Sequence, residues 1–300
     1  MVFDCSLSVI VPVYNAGKYI DKLFDALERQ TFQNFDLILV NDGSKDDSEE
    51  KIKAYMACTS RKCTYICQTN QGAGAARNAG LKACSADFYA FLDSDDLIAD
   101  TYLEKMTSAC AKYEADIVIA GVGVFKNGIY SEKDSESATE ELVLDSVDYA
   151  RKVLKKEDAS YIVANKLIRN TGKLFFPEGL MFEDMFFASG LAWSQTKVVF
   201  IPEQIYFYMI NSESVSHTRG QRQILDFTQI CRLVVEGYAQ SGMMREVRSE
   251  LLGFLDTAKS RIIRKYTEQK EFIQEDIFFQ CCDEFERMVG IVNEENVGNR

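Results

Sequence analysis

Along the first 120 residues the hydrophobic pattern switches repeatedly between two periods. Ser6–Val13 (SLSVIVPV) is a near-continuous apolar run rich in β-branched residues, which predicts a strand buried on both faces. Ile20, Phe24, Leu27 and Thr31 then fall on one face at helical spacing. Phe35–Val40 (FDLILV) predicts a second buried strand, ended by the turn-rich NDGSKDDS, where Asp47 or Ser48 is placed to cap the next helix. A third strand is expected over Thr64–Gln68, a helix over Ala75–Ala83 and a fourth strand over Phe88–Leu92. Tyr102–Tyr113 reads as a helix and Ile117–Val124 as a fifth strand. Strand alternating with helix predicts an α/β fold with a parallel sheet, right-handed crossovers and helices on both faces. In such sheets ligands bind beyond the carboxyl ends of the strands, so the polar turns after the second, third and fourth strands belong to one cleft.

From about Lys126 to Gln204 the pattern is less regular, with a polar loop over Asn127–Thr139 and helices over Ser146–Lys156 and Glu183–Ser194. Beyond His217 it changes to long amphipathic helices. Val247, Leu251, Phe254, Leu255, Ala258, Ile262 and Tyr266 form one apolar stripe, and Ile273–Val289 offers a second. A helical appendage on a catalytic domain is expected.

Composition narrows the classes. Acidic residues outnumber basic ones 46 to 34, a formal net charge of −12, so a phosphate-tracking nucleic-acid binder is excluded as a partner reading. An anionic ligand needs local basic groups or a bridging metal ion. No stretch reaches the roughly 18–20 apolar residues of a membrane span, and the N-terminus lacks the basic region of a signal peptide. Nine cysteines without a CxxC pair and a single histidine predict reduced, mostly buried thiols in a cytoplasmic protein.

Several segments carry candidate chemistry. Asp93-Ser94-Asp95-Asp96 places three carboxylates in four residues at a strand end, where a cation would relieve their mutual repulsion. All-oxygen donors suit Mg²⁺ or Mn²⁺, although a solvated acidic turn has the same composition. Asp42, at the equivalent end of the second strand, can accept from a ribose hydroxyl or a base N–H, or serve an Asx-turn. Gln71–Asn78 (QGAGAARN) invites comparison with a dinucleotide fingerprint, but it follows the third strand and has Arg77 at the sixth position. The P-loop pattern is absent. Glu183-Asp184 opens a helix and offers a general base, and His217 and Arg219 offer an imidazole ligand and a diphosphate contact.

In this order the segments resemble an inverting family 2 glycosyltransferase of the GT-A (nucleotide-diphospho-sugar transferase) fold, of the bacterial capsule and exopolysaccharide type. The resemblance rests on Ser8–Asn15 (SVIVPVYN), Gln30-Thr31-Phe32, Asn41-Asp42-Gly43-Ser44, Gly74–Asn78 (GAARN) and Phe91–Asp96 (FLDSDD). Asn165-Lys166-Leu167, Phe176–Gly179, Glu183-Asp184 and Tyr206-Phe207-Tyr208 extend it across roughly residues 5–219. It implies a catalytic domain over 1–219, with a nucleotide-sugar half at about 1–125 and an acceptor half at about 126–219, and a helical region over 220–300.

The resemblance further implies that Pro12, Val13, Tyr14, Asn15, Asp42, Arg77, Asn78, Asp93, Ser94 and Arg219 surround a UDP-sugar. Asp95 and Asp93, with His217, would hold Mn²⁺ or Mg²⁺, with Asp96 an alternative ligand, and Asp184 would deprotonate the acceptor. The implied reaction moves a sugar to a hydroxyl of a glycan or lipid-linked acceptor of a bacterial surface polysaccharide. A non-catalytic sugar-nucleotide or glycan-binding module on the same fold is the rival. Ala164 replaces the aromatic usual before Asn165-Lys166, and the arginine often found after the YxY segment is absent at Met209 and Ile210. Two further partner expectations are a homodimer and peripheral contact with the inner membrane face, the latter through Arg261, Arg264 and Lys265 beside Ile262 and Ile263.

Overall fold

A computed structural model describes residues 3–126, 129–131, 140–157, 161–194, 197–210 and 220–294. The chain begins with β1 (Leu7–Val13), α1 (Ile20–Glu28), β2 (Asp36–Asn41), α2 (Ser48–Cys58), β3 (Cys63–Cys67) and α3 (Ala73–Ala83). It continues through β4 (Phe88–Phe91), β5 (Leu97–Ile98), α4 (Tyr102–Tyr113), β6 (Ile117–Lys126), β7 (Ile129–Ser131) and β8 (Leu142–Asp145). Then come α5 (Ser146–Lys155), β9 (Lys166–Arg169), α6 (Glu183–Ser194), β10 (Lys197–Ile210), α7 (Gln221–Ser241), α8 (Arg248–Glu268) and α9 (Glu275–Glu294). These divide into two compact units: Met1–Asp145 with Ile162–Gly179 and Gln195–Ser212, and Ser146–Tyr161 with Leu180–Ser194 and Glu213–Arg300.

The first unit is one mixed sheet in the order β3-β2-β1-β4-β9-β6-β10-β5, with β7 on β6 and β8 on β10. The four strands that the sequence pattern places as a parallel set do pair in parallel, β1 lying between β2 and β4. Val9, Ile10, Val11 and Val13 of β1 are fully buried, as a strand covered on both faces requires. Burying each such side chain stabilises the fold by about 1.5–3 kcal/mol. Winding runs outward from β1 to β3 and then returns to β4 on the other side of β1, which makes the β1/β4 junction a topological switch point. Thr31 lies beyond the end of α1. Its N–H donates to the Asp100 carbonyl (2.8 Å) and its hydroxyl to Glu104 (2.6 Å), while Gln30 accepts from Leu103 N–H and donates to the Ala99 carbonyl. The end of α1 is thereby tied to the start of α4.

Later strands depart from the parallel expectation. β9 runs antiparallel between β4 and β6, so β6 is not the direct neighbour of β4. Its four residues include Lys166, fully buried, whose ammonium donates to the Ile162 carbonyl and to Asn165 Oδ1 (2.9 Å). A strand carrying a buried lysine has no apolar signature. β10 contains Pro202, which reads as a break, yet it pairs with β6 over its length by shifting register between Ile201 and Gln204 and again before Tyr206.

The second unit is helical. α5 and α6 belong with α7, α8 and α9, the helices expected within 220–300. The stripe on α8 is a core face: Leu251, Phe254, Leu255, Ala258 and Ile262 are buried. The Trp193 ring of α6 meets Tyr238 of α7 edge-on at 5.1 Å, above Gly237, where any side chain would collide with the indole. Among the described helices none is long and apolar enough to cross a membrane. All nine cysteines are free, but only Cys110, Cys231 and Cys281 are buried, which corrects the expectation of mostly buried thiols. β3 is an edge strand of the sheet, and its thiols are incompletely covered, Cys63 in part and Cys67 exposed.

Gly121 of β6 faces the register shift of β10. A Cβ there would lie 2.7 Å from the Glu203 carbonyl oxygen and closer still to that of Pro202. Gly121→Ala is therefore expected to destabilise the protein by about 1–3 kcal/mol through overpacking against backbone that cannot yield, read as a lower urea midpoint at unchanged slope.

Candidate active site

The carboxyl ends of β1, β2, β3 and β4 lie side by side, and each is followed by a turn whose side chains are tied to the next. After β1, Asn15 adopts a positive φ of 49°. Its N–H donates to Ser44 Oγ (3.0 Å), and its own Oδ1 accepts from Lys45 N–H (2.8 Å). The neighbouring Ala16 N–H donates to Ser48 Oγ, and Gly17 N–H to Asp46. Asp47 occupies the position before α2 but makes no side-chain cap; Asp46 takes that role, accepting from the N–H and hydroxyl of Ser48. Pro12 is half-buried and Val13 buried beneath this turn, and Tyr14 is exposed. The β1 turn is thus fixed by the β2 turn, with an exposed asparagine and tyrosine above a rigid floor.

Asp42 follows β2 and is almost completely buried. One carboxylate oxygen accepts from Gln68 Nε2 (2.7 Å) and Gln71 N–H (2.9 Å), the other from Gly72 N–H (2.9 Å). A buried carboxylate needs such donors, since an ion left unpaired would be strongly disfavoured. The same contacts hold the β3–α3 turn in place. Gly43, at φ +71°, allows the approach: a Cβ would sit 2.8 Å from Asn70 N. Gln68 was not singled out in the sequence, and Gln71 and Gly72 only as part of QGAGAARN, because all three satisfy a carboxylate 26–30 residues away.

Arg77 on α3 is buried and donates from Nη2 to Asp93 Oδ1 at 2.9 Å, with its guanidinium 5.4 Å from the Phe176 ring centre. Asn78 turns the other way. Its amide donates to the Phe176 carbonyl and Glu178 and accepts from Phe176 N–H, all within 2.9 Å, so its visible work is to fix the 176–178 segment. Asp93, Ser94 and Asp95 are half-buried at the end of β4. Asp96 is not. It is buried, accepting Met209 N–H at 2.8 Å and the Tyr206 hydroxyl. Burial, with the Asp93 charge beside it, pushes the Asp96 carboxyl up to about 8. Both Asp96 oxygens are occupied by protein donors, which leaves Asp93 and Asp95 as the outward-facing acids of the run. The Tyr206 partnership gives the YxY segment a physical reason.

Among the described residues no group of three or more His, Cys, Asp or Glu is placed to hold a metal ion. Two half-buried carboxylates at a cleft nonetheless fit Mg²⁺ or Mn²⁺. Such ions usually take one or two protein carboxylates and draw the rest from phosphate and water. His217 and Arg219 lie outside the described residues. Asp184 opens α6 in the helical unit, where its Oδ1 accepts Met185 N–H at 2.9 Å.

The family model for glycosyl transferase family 2 matches residues 8–172, the span that holds all four strand-end turns. This chain belongs to glycosyl transferase family 2. A relative from Haemophilus influenzae, described only as a glycosyltransferase, is 32% identical over 224 residues, covering 74% of this chain and 86% of its own. Glycosyltransferase GlyA of Streptococcus pneumoniae is 31% identical over 227 residues, and there the match spans 72% of this chain but only about a third of the relative's length. Among solved structures, residues 1–349 of TarS from S. aureus in complex with UDP superimpose with a TM-score of 0.67 at 19% identity, covering 98% of this chain and 92% of that one. TarS has also been solved with UDP-GlcNAc. The likeness establishes the GT-A fold for this family 2 chain.

Asp42→Asn keeps the shape of the side chain but presents N–H to the Gln71 or Gly72 N–H. Its loss of one or two charge-assisted bonds is expected to cost about 1–3 kcal/mol locally. Amide hydrogen exchange at Gln71 and Gly72 should accelerate at least about tenfold, while amides of β1 and β4 stay protected.

Proposed function

We propose that this chain is an inverting glycosyltransferase that moves a sugar from a UDP-sugar to a hydroxyl of a glycan or lipid-linked acceptor in bacterial surface polysaccharide synthesis. The observation that carries the reading is the gathering of Asn15, Asp42, the Arg77–Asp93 pair and Asp95 at one topological switch point. Support comes from family membership and from the UDP and UDP-GlcNAc complexes of TarS, a poly(ribitol-phosphate) β-N-acetylglucosaminyltransferase in S. aureus.

In this reading the nucleotide lies over the β1 and β2 turns, with Pro12 to Asn15 and the Asp42 turn forming its floor. Asp42 shapes that floor through the β3–α3 turn. Arg77 orients Asp93 and offsets its negative charge, so that Asp93 can face the ribose or sugar, and Asp95 and Asp93, with His217, would hold the ion. A bound Mn²⁺ or Mg²⁺ would supply charge neutralisation of the departing UDP. Asp184 takes the proton of the acceptor hydroxyl as its oxygen attacks the anomeric carbon from the face opposite UDP. The C1–O bond to UDP breaks as the new bond forms, and the configuration inverts.

Calorimetric titration of UDP with Mn²⁺ is expected to give micromolar binding that is lost on chelation, and Asp95→Ala should abolish the metal-dependent part. Absence of UDP binding in both conditions would overturn the nucleotide-sugar reading. For Asp184→Asn, transfer should fall by roughly 10²–10⁴-fold, the usual size of general-base help, with UDP affinity within a few fold of wild type. A drop in UDP affinity instead would remove Asp184 from the base role. Intact UDP binding without turnover of any UDP-sugar would leave the binding-module rival.

A further inference from the structure

The helical unit holds a half-open cavity of about 430 Å³, within the range of small-ligand sites, and every residue lining it belongs to that unit. Its floor is apolar, with Leu154 of α5, Phe227 of α7 and Phe254 and Ala258 of α8. Its charged lining is Lys155, Lys156 and Arg261 against a single carboxylate, Glu250, which is already shared between Lys155 (3.7 Å) and Arg151 (3.9 Å). In a chain with a formal charge of −12, this is a local reversal of sign.

Two of the three cations lie over aromatic rings. Among the described residues, neither the Arg261 guanidinium nor the Lys156 ammonium makes a hydrogen bond or an ion pair with a carboxylate. Arg261 lies 4.6 Å from the centre of the Phe227 ring and 5.0 Å from that of Phe182, and the two rings meet edge-on at 5.2 Å. The Lys156 ammonium lies 5.5 Å over the Tyr161 ring. Loss of surrounding water and their mutual repulsion lower the proton affinity of Lys156; for Arg261, loss of water is the leading cause, and Asp184 acts weakly in the other direction. The backbone is also strained here. Lys156 has φ 62° and Phe182 φ 66°, in the left-handed region that favours glycine. Lys156 lines the cavity and Phe182 supports Arg261. Strain at two such positions marks a geometry that local propensity alone does not select.

We propose that this cavity binds the phosphate group of a ligand whose remainder is apolar, with Arg261 and Lys156 as its cationic contacts and the Phe227–Phe254 floor taking the apolar part. A planar guanidinium held between rings and an exposed ammonium together offer a fork and a point charge to one phosphate. The residues that carry the assignment are all in the helical unit, which also holds Asp184, whose charge acts on Arg261. The ligand can be a soluble phosphate ester or a phospholipid headgroup with its first methylenes.

Octyl phosphate titrated into the full chain, followed by calorimetry, tests the site, with octyl glucoside and inorganic phosphate as comparisons. Wild type should bind octyl phosphate at least about tenfold more tightly than either comparison, and Lys156→Gln and Arg261→Gln should each weaken it by about tenfold or more. Lys156 is exposed at a helix end, so its variant reports on binding even if Arg261→Gln melts early. No binding by wild type, or unchanged affinity in Lys156→Gln, would overturn the site. Inorganic phosphate binding as tightly as octyl phosphate would overturn its apolar half. Co-sedimentation with phosphatidylglycerol vesicles that is lost in Lys156→Gln identifies a lipid source. Octyl phosphate binding without co-sedimentation identifies a soluble ester.

Discussion

Everything around the strand-end turns depends on β1 being paired in parallel on both sides. A strand with neighbours at both edges and apolar layers on both faces has no freedom to slide, because a one-residue slip would move every side chain to the opposite face, into packing shaped for others. With β1 fixed, the ends of β2 and β4 are fixed by ladder hydrogen bonds, and β3 follows from β2. The polar turns then project from one edge at strand spacing, without any side chain having to travel to reach its neighbour. Rigid backbone of this kind is what lets carboxylates of like charge be placed close together.

The acids at that edge are handled in three different ways. Asp42 is buried and held by amide donors, Asp93 is paired with a guanidinium, and Asp96, its carboxyl pushed up to about 8 by burial, is held by a tyrosine hydroxyl and a backbone amide. Asp95, half-buried beside them, completes the run. A cluster that would be repulsive if all four were equivalent becomes a graded one, with negative charge concentrated toward the outward side. The cost is borne by long-range partners: Gln68, Arg77, Tyr206 and the Met209 amide.

The front half of the fold was legible in the sequence because its strands are apolar on both faces and its helices are punctuated by turn residues. The place of the acids at the strand ends was legible for the same reason, but not which of them turn inward onto protein donors, as Asp42 and Asp96 do. The back half was hidden by local signals that tertiary structure overrides. Lys166 sits in a fully buried strand because a carbonyl and an asparagine receive its ammonium, and Pro202 sits inside a strand because the ladder is broken there. Asn78 looked like part of a glycine-rich nucleotide turn, yet its amide is spent on Phe176 and Glu178, a contact about 100 residues away that no window could reveal. The grouping of α5 and α6 with the C-terminal helices was equally invisible, because it is decided by which apolar faces meet, not by order along the chain.

The two register shifts in β10 have a consequence for parity. Between Ile201 and Tyr206 the strand advances five residues while β6 advances two, from Ala120 to Val122. Ala120 and Val122 share a face of the sheet, so Ile201 and Tyr206 also share one, although five steps along a regular strand would place them on opposite sides. The surplus is odd, and that oddness is what aims the Tyr206 hydroxyl at Asp96. Pro202, Glu203 and Ile205 have no partner in β6, so a residue lost at Pro202–Glu203 can come out of that surplus while Tyr206 stays opposite Val122. After Tyr206 the pairing is residue for residue, and a single loss there would exchange inside for outside in everything that follows, so the irregular point of β10 is where its length can change and the regular stretch is where it cannot.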